Sequence, residues 1–411
     1  MQSLLSKAGK VSLLQFAEQF LQICFFIGLS RICELKLLGT YMALTAFWTL
    51  GSMMIDFGLN HVLIKESAQQ KDIFAISAMV ISVKGVGMCI LFAGLFIWSF
   101  FSESLFVLTL VYTLPVIGVR CIGSALSSVI IGQGNIFTIA VCQFCARVLL
   151  VAFVGISLWS GSGIEYAVLI HFIVESLLLC LFWWILGRPG WHPIYQWNFE
   201  KCRQLCKAGA IIGLTTSGIL LLLRQPLFRM EYFSSDQTVL YGLAVRAIEL
   251  LLIPVNTVLL ISLPHAVKYK NRSETAILKD RYTYSFFQNL KPIFFLFISL
   301  SILNKFFISF PLCAIIALKL APLDQVLWSI FITAGLLTIL YSVCFDLFVM
   351  EKLYIAMWVI ALVNVIVAVV VSGFFGAAMV SSLEGGLNIS NLSLALAVSA
   401  IYIIKYFYRA L

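Results

Sequence analysis

Apolar residues run along this chain in stretches of twenty or more, broken by short polar patches, and this block pattern predicts its elements. A helix needs about 20 mainly apolar residues to cross the hydrocarbon core of a bilayer. Runs of that length predict spans near 11–30, 40–60, 73–98, 105–131, 136–158 and 164–186. After a polar stretch, six more are predicted near 208–228, 238–262, 292–313, 325–347, 353–375 and 386–404. Asn304 and Lys305 interrupt the ninth and Pro311 follows it, so the apolar residues beyond also read as a re-entrant piece. The run after Lys7 and Lys10 is too long for a cleaved leader and lacks a small-residue cleavage site, so it is expected to stay as the first helix. The predicted fold is an all-α, polytopic membrane protein of about 12 transmembrane helices. Its expected organisation is an N-terminal six-helix lobe (1–186), a cytoplasmic linker (187–207) and a C-terminal six-helix lobe (208–411) around a central cavity. A duplication is suggested by Lys7-Ala8-Gly9 recurring as Lys207-Ala208-Gly209, and by Tyr41 recurring as Tyr241. Paired bundles with the substrate held between them are a common transporter plan.

Composition removes the soluble alternatives. Of 411 residues, 62% are hydrophobic and 11% charged, which no water-soluble domain of this size sustains. The net charge of +9 therefore reports orientation rather than nucleic-acid binding. Most of the 27 Lys and Arg fall on the side that carries both termini, among them Lys7, Lys10, Lys65, Lys71, Arg188, Lys201, Arg203 and the basic 264–291 loop. Arg31, Lys36, Arg224, Arg229, Lys305 and Lys319 fall on the other. By the positive-inside rule both termini are expected in the cytoplasm. The 11 Cys are scattered through apolar stretches without His partners at metal-ligand spacing, so neither zinc nor disulfides are expected. A phosphate-binding glycine loop, an HExxH pair and a long outer loop are all missing from the sequence, which points away from an enzyme.

Four cations, Lys84, Arg120, Arg147 and Arg246, fall inside predicted spans. An ionised side chain near the bilayer centre costs about 2.5–3.5 kcal/mol on insertion scales. Each must face a water-filled cavity or an interior carboxylate. Arg246 has Glu249 three residues on, whereas the other three have no acid one turn away in sequence. At 100° per residue, Thr113, Arg120, Ser124 and Ser127 share one face of the fourth helix, and Thr45, Thr49, Ser52, Asp56 and Asn60 one face of the second. Ser12, Gln15, Gln19 and Gln22 line the first, with Glu18 at the margin. Such stripes either glue helix to helix or wall a hydrophilic passage. If the cations line one cavity its favoured guest is an anion such as phosphate or pyrophosphate, which an Arg fork binds through paired oxygens. Lys84, Arg120, Arg147 and Arg246 are thus the candidate substrate-binding residues. The intramembrane acids Asp56, Glu175, Asp346, Glu18 and Glu249 are the candidates for proton or sodium coupling. His171 lies one turn from Glu175, as either a relay or a packing pair. Pro115 and Pro254 predict kinks.

The stretch from Arg31 through Leu38-Gly39-Thr40-Tyr41, with a span ending in Asp56-Phe57-Gly58, resembles the opening of the Wzx-type polysaccharide-export proteins. Gly132-Gln133-Gly134 and Tyr241-Gly242 are also similar to the pattern of that family, which belongs to the multidrug/oligosaccharidyl-lipid/polysaccharide exporter superfamily. The resemblance implies two six-helix lobes as in MATE transporters and a location in the bacterial inner membrane. It implies a flippase that moves undecaprenyl-pyrophosphate-linked oligosaccharide, an O-antigen or similar surface-polysaccharide unit, from the cytoplasmic to the periplasmic leaflet. The expected partners are the lipid-linked glycan, the bilayer, and the polymerase and chain-length proteins of the same pathway, with no nucleic acid and no bound cofactor. Lipid-precursor flippases of this superfamily often carry fourteen helices, two more than the spans counted here. A drug/ion antiporter and a membrane-embedded glycan enzyme remain the alternatives.

Overall fold

Backbone hydrogen bonds have no water to satisfy them inside a bilayer, so spans of this composition must close their bonds within each helix. The computed structural model describes residues 2–69, 73–101, 110–187 and 198–210, together with 213, 224, 227, 238, 239, 241–250, 252, 253, 256 and 257. The predicted spans from 292 onward, the 264–291 loop and Asp346 lie outside these residues. The named elements are α1 (Gln2–Ile32), α2 (Leu35–Asp56), α3 (Leu59–Ala68), α4 (Ile73–Phe101), α5 (Leu114–Gly132), α6 (Ile136–Trp159) and α7 (Ile164–Ile185). Further helical residues occupy 199–210 and 241–250. Among the described residues, six stretches are long and apolar enough to cross a membrane: Gly9–Ile32, Leu35–Asp56, Ile73–Phe101, Leu110–Gly132, Ile136–Trp159 and Ile164–Ile185. The chain is a multi-pass, all-helical membrane protein.

Two of the expected spans differ in a way that positions the site. The second, expected over 40–60, stops at Asp56, because Phe57 (φ 45°) and Gly58 (φ 77°) both adopt the left-handed conformation and turn the chain into α3. The Phe57 N–H closes α2 on the Met53 carbonyl. A left-handed non-glycine residue costs about 1–2 kcal/mol, so Phe57 is held there by its surroundings. The fourth, expected to kink at Pro115, is broken two residues earlier at Thr113. Pro115 then occupies the first turn of α5, where its missing N–H forfeits no helical hydrogen bond.

Links of a few residues join α1 to α2, α5 to α6 and α6 to α7, which forces neighbouring spans antiparallel. At the centre lies α5, packed against α2, α3, α4, α6 and α7. Its small residues permit this: a Cβ on Gly132 would come within 2.6 Å of the Ser67 Cβ on α3, and the Ser67 hydroxyl donates to the Val129 carbonyl at 3.0 Å. Close backbone approach at small residues is how helices associate where lipid removes the hydrophobic drive. One core cluster joins Phe26, Tyr41, Trp48, Ile117, Leu150 and Val154, from four of the helices. The outer faces of α4, α6 and α7 carry exposed apolar side chains such as Ile90, Phe153 and Leu177. Trp159 and Trp184, exposed at the ends of two antiparallel helices, fit aromatic anchors at opposite membrane rims.

The second half of the chain meets this bundle at the α2–α3 break. Cys202 and Leu205 join a core cluster with Leu59, Leu63, Met79 and Val129. A Cβ on Gly58 would strike the Gly209 carbonyl and lie 2.6 Å from the Gly213 N. Glycine therefore meets glycine, main chain against main chain. Gly58→Ala is expected to cost about 2–5 kcal/mol, combining left-handed strain with overpacking. Gly134→Ala, also left-handed (φ 95°) but in open space, should cost only about 1–2 kcal/mol. Thermal unfolding of the two purified variants checks the contrast.

Candidate functional site

The polar stripes read from the sequence have different fates. On α2 the Thr45, Thr49 and Ser52 hydroxyls donate to carbonyls of their own helix at 2.9 Å each, so they are satisfied locally. On α5 the stripe of Arg120, Gly123, Ser124 and Ser127 walls a cavity of about 330 Å³. The opposite walls are Glu18 and Gln19 of α1, Gln143, Ala146 and Arg147 of α6, and Val174, Glu175, Leu178 and Phe182 of α7. Its size falls within the range of small-molecule sites. Beyond Arg120, Arg147 and Leu150 lies a smaller hollow of about 30 Å³, bounded also by Gln22, Phe26, Tyr41, Trp48, Thr49, His171 and Arg246. It has room for a water or two.

The candidate cations thus separate. Arg120, Arg147 and Arg246 come together on the smaller hollow. Lys84 does not: it is 1% exposed and lines neither hollow, with Nζ 2.7 Å from Asp56 Oδ1. Asp56, a candidate coupling acid, is accordingly engaged with Lys84. On α3, outside the six spans, burial lowers the His61 pKa and the Asp56 carboxylate pulls it back upward.

Partnerships grade the remaining charges. Arg147 Nε donates to Glu18 Oε1 at 3.1 Å across α6 and α1. Arg246 Nη1 donates to Glu249 Oε2 at 2.9 Å, and its guanidinium lies 5.9 Å from the Phe26 ring centre, within cation–π range. Arg224 Nη2 also donates to Glu249, at Oε1. Arg224, which the sequence reading placed in an outer connection, is 3% exposed; the missed signal was the apolar run before it and a carboxylate at Glu249 able to serve two cations. Arg120 makes no ion pair within the described residues, and its hydrogen bond is a long one, 3.5 Å to Thr49 Oγ1. Glu175 shares the larger cavity with Arg120 and Arg147. His171, read as a partner for Glu175, instead meets the Tyr41 hydroxyl at 2.6 Å and stands edge-on to Trp48, ring centres 4.5 Å apart. That explains locally what Tyr41 holds in place.

Two further groups sharpen the chemistry. Trp48 Nε1 and Gln22 Nε2 border the small hollow, are buried, and have no hydrogen-bond partner among the described residues. Both are donors, as are the three guanidiniums beside them. On the larger cavity, which Glu18 and Glu175 also line, the buried atom without a partner among the described residues is an acceptor, Gln19 Oε1. Orphaned buried polar groups call for an explanation, and here they divide by kind. The inner end presents donors and positive charge, and the outer chamber presents acceptors beside two arginines. This arrangement suits a guest with anionic oxygens at one end and hydroxyl groups at the other.

Known proteins resemble this chain in sequence pattern and in fold. A family model described as "Polysaccharide biosynthesis protein" matches residues 4–263. No curated protein matches the chain. Among solved structures, an outward-facing multidrug resistance MATE family transporter of the MOP superfamily superimposes with a TM-score of 0.66 at 14% identity, covering 98% of this chain and 94% of that one. The MATE multidrug transporter DinF-BH gives 0.64 at 16% identity, over 99% and 95%. The Vibrio cholerae MATE transporter VcmN in its bent form gives 0.61 at 14%, over 98% of each. At such identities the likeness concerns the fold, which is that of a transporter.

The geometry separates arginines that carry an internal ion pair from Arg120, which has none among the described residues. Arg147→Ala should leave Glu18 without its partner and cost about 1–3 kcal/mol. Arg147→Ala/Glu18→Gln should recover most of the lost stability, and Arg120→Ala should lose less than 1 kcal/mol. Thermal unfolding and membrane abundance of the three variants test this ranking.

Proposed function

The chain belongs to the polysaccharide biosynthesis protein family and has a MATE-type transporter fold, and we propose that it flips a lipid-linked oligosaccharide across the membrane. The substrate we infer is an undecaprenyl-pyrophosphate-linked unit of an O-antigen or similar surface polysaccharide, carried from the cytoplasmic to the periplasmic leaflet of a bacterial inner membrane. One observation carries the reading: three guanidiniums and two partnerless donors, from α1, α2, α5, α6 and the 241–250 helix, border one small hollow. In this reading the small hollow, which has room for a water or two in this conformation, opens so that pyrophosphate oxygens dock on Arg120, Arg147 and Arg246. The first sugars extend into the 330 Å³ chamber, where Glu18, Glu175 and Gln19 accept from their hydroxyls. The polyprenyl tail stays in lipid, and the two lobes, 1–186 and 208–411, rock about the site with both termini in the cytoplasm. No covalent step is needed. In this reading Glu18 and Glu175 exchange a proton or sodium ion during the cycle. Export of an organic cation is the second reading, favoured by those same two carboxylates.

The test is the leaflet at which substrate accumulates when the chain is deleted from its host. Build-up of lipid-linked units on the cytoplasmic side is expected. Unpolymerised units on the outer side, or drug sensitivity without any build-up, would overturn the proposal in favour of a glycan enzyme or an antiporter. Arg120→Ala, restored to the deletion strain, should be present in the membrane at normal abundance. It should flip at least tenfold more slowly, because a hydrogen bond to a charged group contributes about 1.5–3 kcal/mol.

A further inference from the structure

The Lys84 cluster is the chemical opposite of the arginine hollow. Its ammonium lies 2.7 Å from Asp56 Oδ1 and donates to Asn60 Oδ1 at 2.7 Å, to the Cys121 carbonyl at 3.2 Å and to Ser124 Oγ at 3.2 Å. The Ser124 proton is itself directed at the Cys121 carbonyl, 2.8 Å away, so the oxygen faces Lys84 as an acceptor. Asp56 ends α2, Asn60 lies in the first turn of α3, and Cys121 and Ser124 share one turn of α5. These are hard oxygens of four kinds with a single formal negative charge among them. Lysine has three N–H donors and no acceptor. Four acceptors exceed what three directed donors can satisfy one to one, whereas a compact positive charge serves all four together. Oxygen sets of this kind are what hard cations select.

We infer that this cluster is a monovalent-cation site whose occupant is built into the chain, with the Lys84 ammonium filling an oxygen cage that a shorter side chain would leave to ammonium or an alkali ion. The tether keeps the ammonium beside Asp56, which also braces the α2–α3 break by accepting the Asn60 N–H at 3.2 Å. Ion exchange, if it drives the protein, takes place at other carboxylates. An ordinary buried ion pair would make the same contacts but would not turn into an ion-binding site when the lysine is cut back, and that difference is measurable.

The experiment follows thermal unfolding of the purified full-length protein while ammonium, potassium or sodium chloride replaces N-methylglucamine chloride at constant ionic strength. Wild type should be indifferent to the exchange. Lys84→Ala should unfold at lower temperature and recover saturably with at least one of the small cations, about tenfold in its folding equilibrium at ten times the dissociation constant. Lys84→Met, which refills the space without charge, and Lys84→Ala/Asp56→Asn should both lose the response. The proposal is overturned if Lys84→Ala ignores all three cations, if wild type responds equally, or if the response survives Asp56→Asn. Should Lys84→Ala fail to accumulate, Lys84→Ser takes its place with Lys84→Ser/Asp56→Asn as its control. A saturable response of Lys84→Ser to a small cation that the double variant lacks supports the proposal, and indifference of Lys84→Ser to all three cations overturns it.

Discussion

Compensation of charge inside the bilayer is the constraint on which this bundle depends. A lone intramembrane cation costs about 2.5–3.5 kcal/mol, and several together would outweigh the few kcal/mol by which folded proteins are stable. The helices therefore cross so that acids from one meet bases from elsewhere in the chain, Asp56 with Lys84, Glu18 with Arg147 and Glu249 with Arg224, while Arg246 meets Glu249 on its own helix. Two arginines share one carboxylate, and Arg120 touches none among the described residues. The surplus of positive charge is thereby gathered at one place, beside the Trp48 and Gln22 donors. In the proposed reading that surplus is what an anionic guest neutralises.

The same constraint separates scaffold from machinery. Around Lys84 the ammonium's hydrogen bonds pin four helices together, and it lines neither of the two hollows described above. One helical face away, α5 turns Arg120, Gly123 and Ser127 to open space. Ser124 stands on the partition, bonded to Lys84 on one side and lining the cavity on the other. Rigid bracing next to a half-satisfied cavity is what preorganised electrostatic recognition requires, since donors already fixed in place need not be ordered when the guest arrives.

The span plan was legible because it rests on run length alone: the first, third, fifth and sixth spans lie within a few residues of their helices at most ends. Phe57 was not, since nothing in its side chain announces a left-handed turn; the close approach of Gly58 to Gly209 and Gly213, some 150 residues on, imposes it. For the charges, helical phase put Arg120 and Ser124 on one face, and local spacing gave Arg246 its Glu249. The partners of Lys84 and Arg147 come from other helices, where sequence separation carries no information about distance. Arg224 was misplaced for the converse reason, that a basic residue near a predicted span end reads as a loop until its acid is located. Gly242 packs on Met42, the same 200-residue offset that relates Tyr41 to Tyr241, so positions paired by the internal match meet in space.

The convergence of donors is tested most directly by what the purified protein retains. Native mass spectrometry from detergent would compare polyprenyl diphosphate, polyprenol of equal chain length and a lipophilic organic cation at one concentration. The account predicts retention of the diphosphate, with polyprenol bound at least tenfold more weakly and the cation competing with neither. Equal retention of the uncharged polyprenol, or preference for the cation, would contradict it.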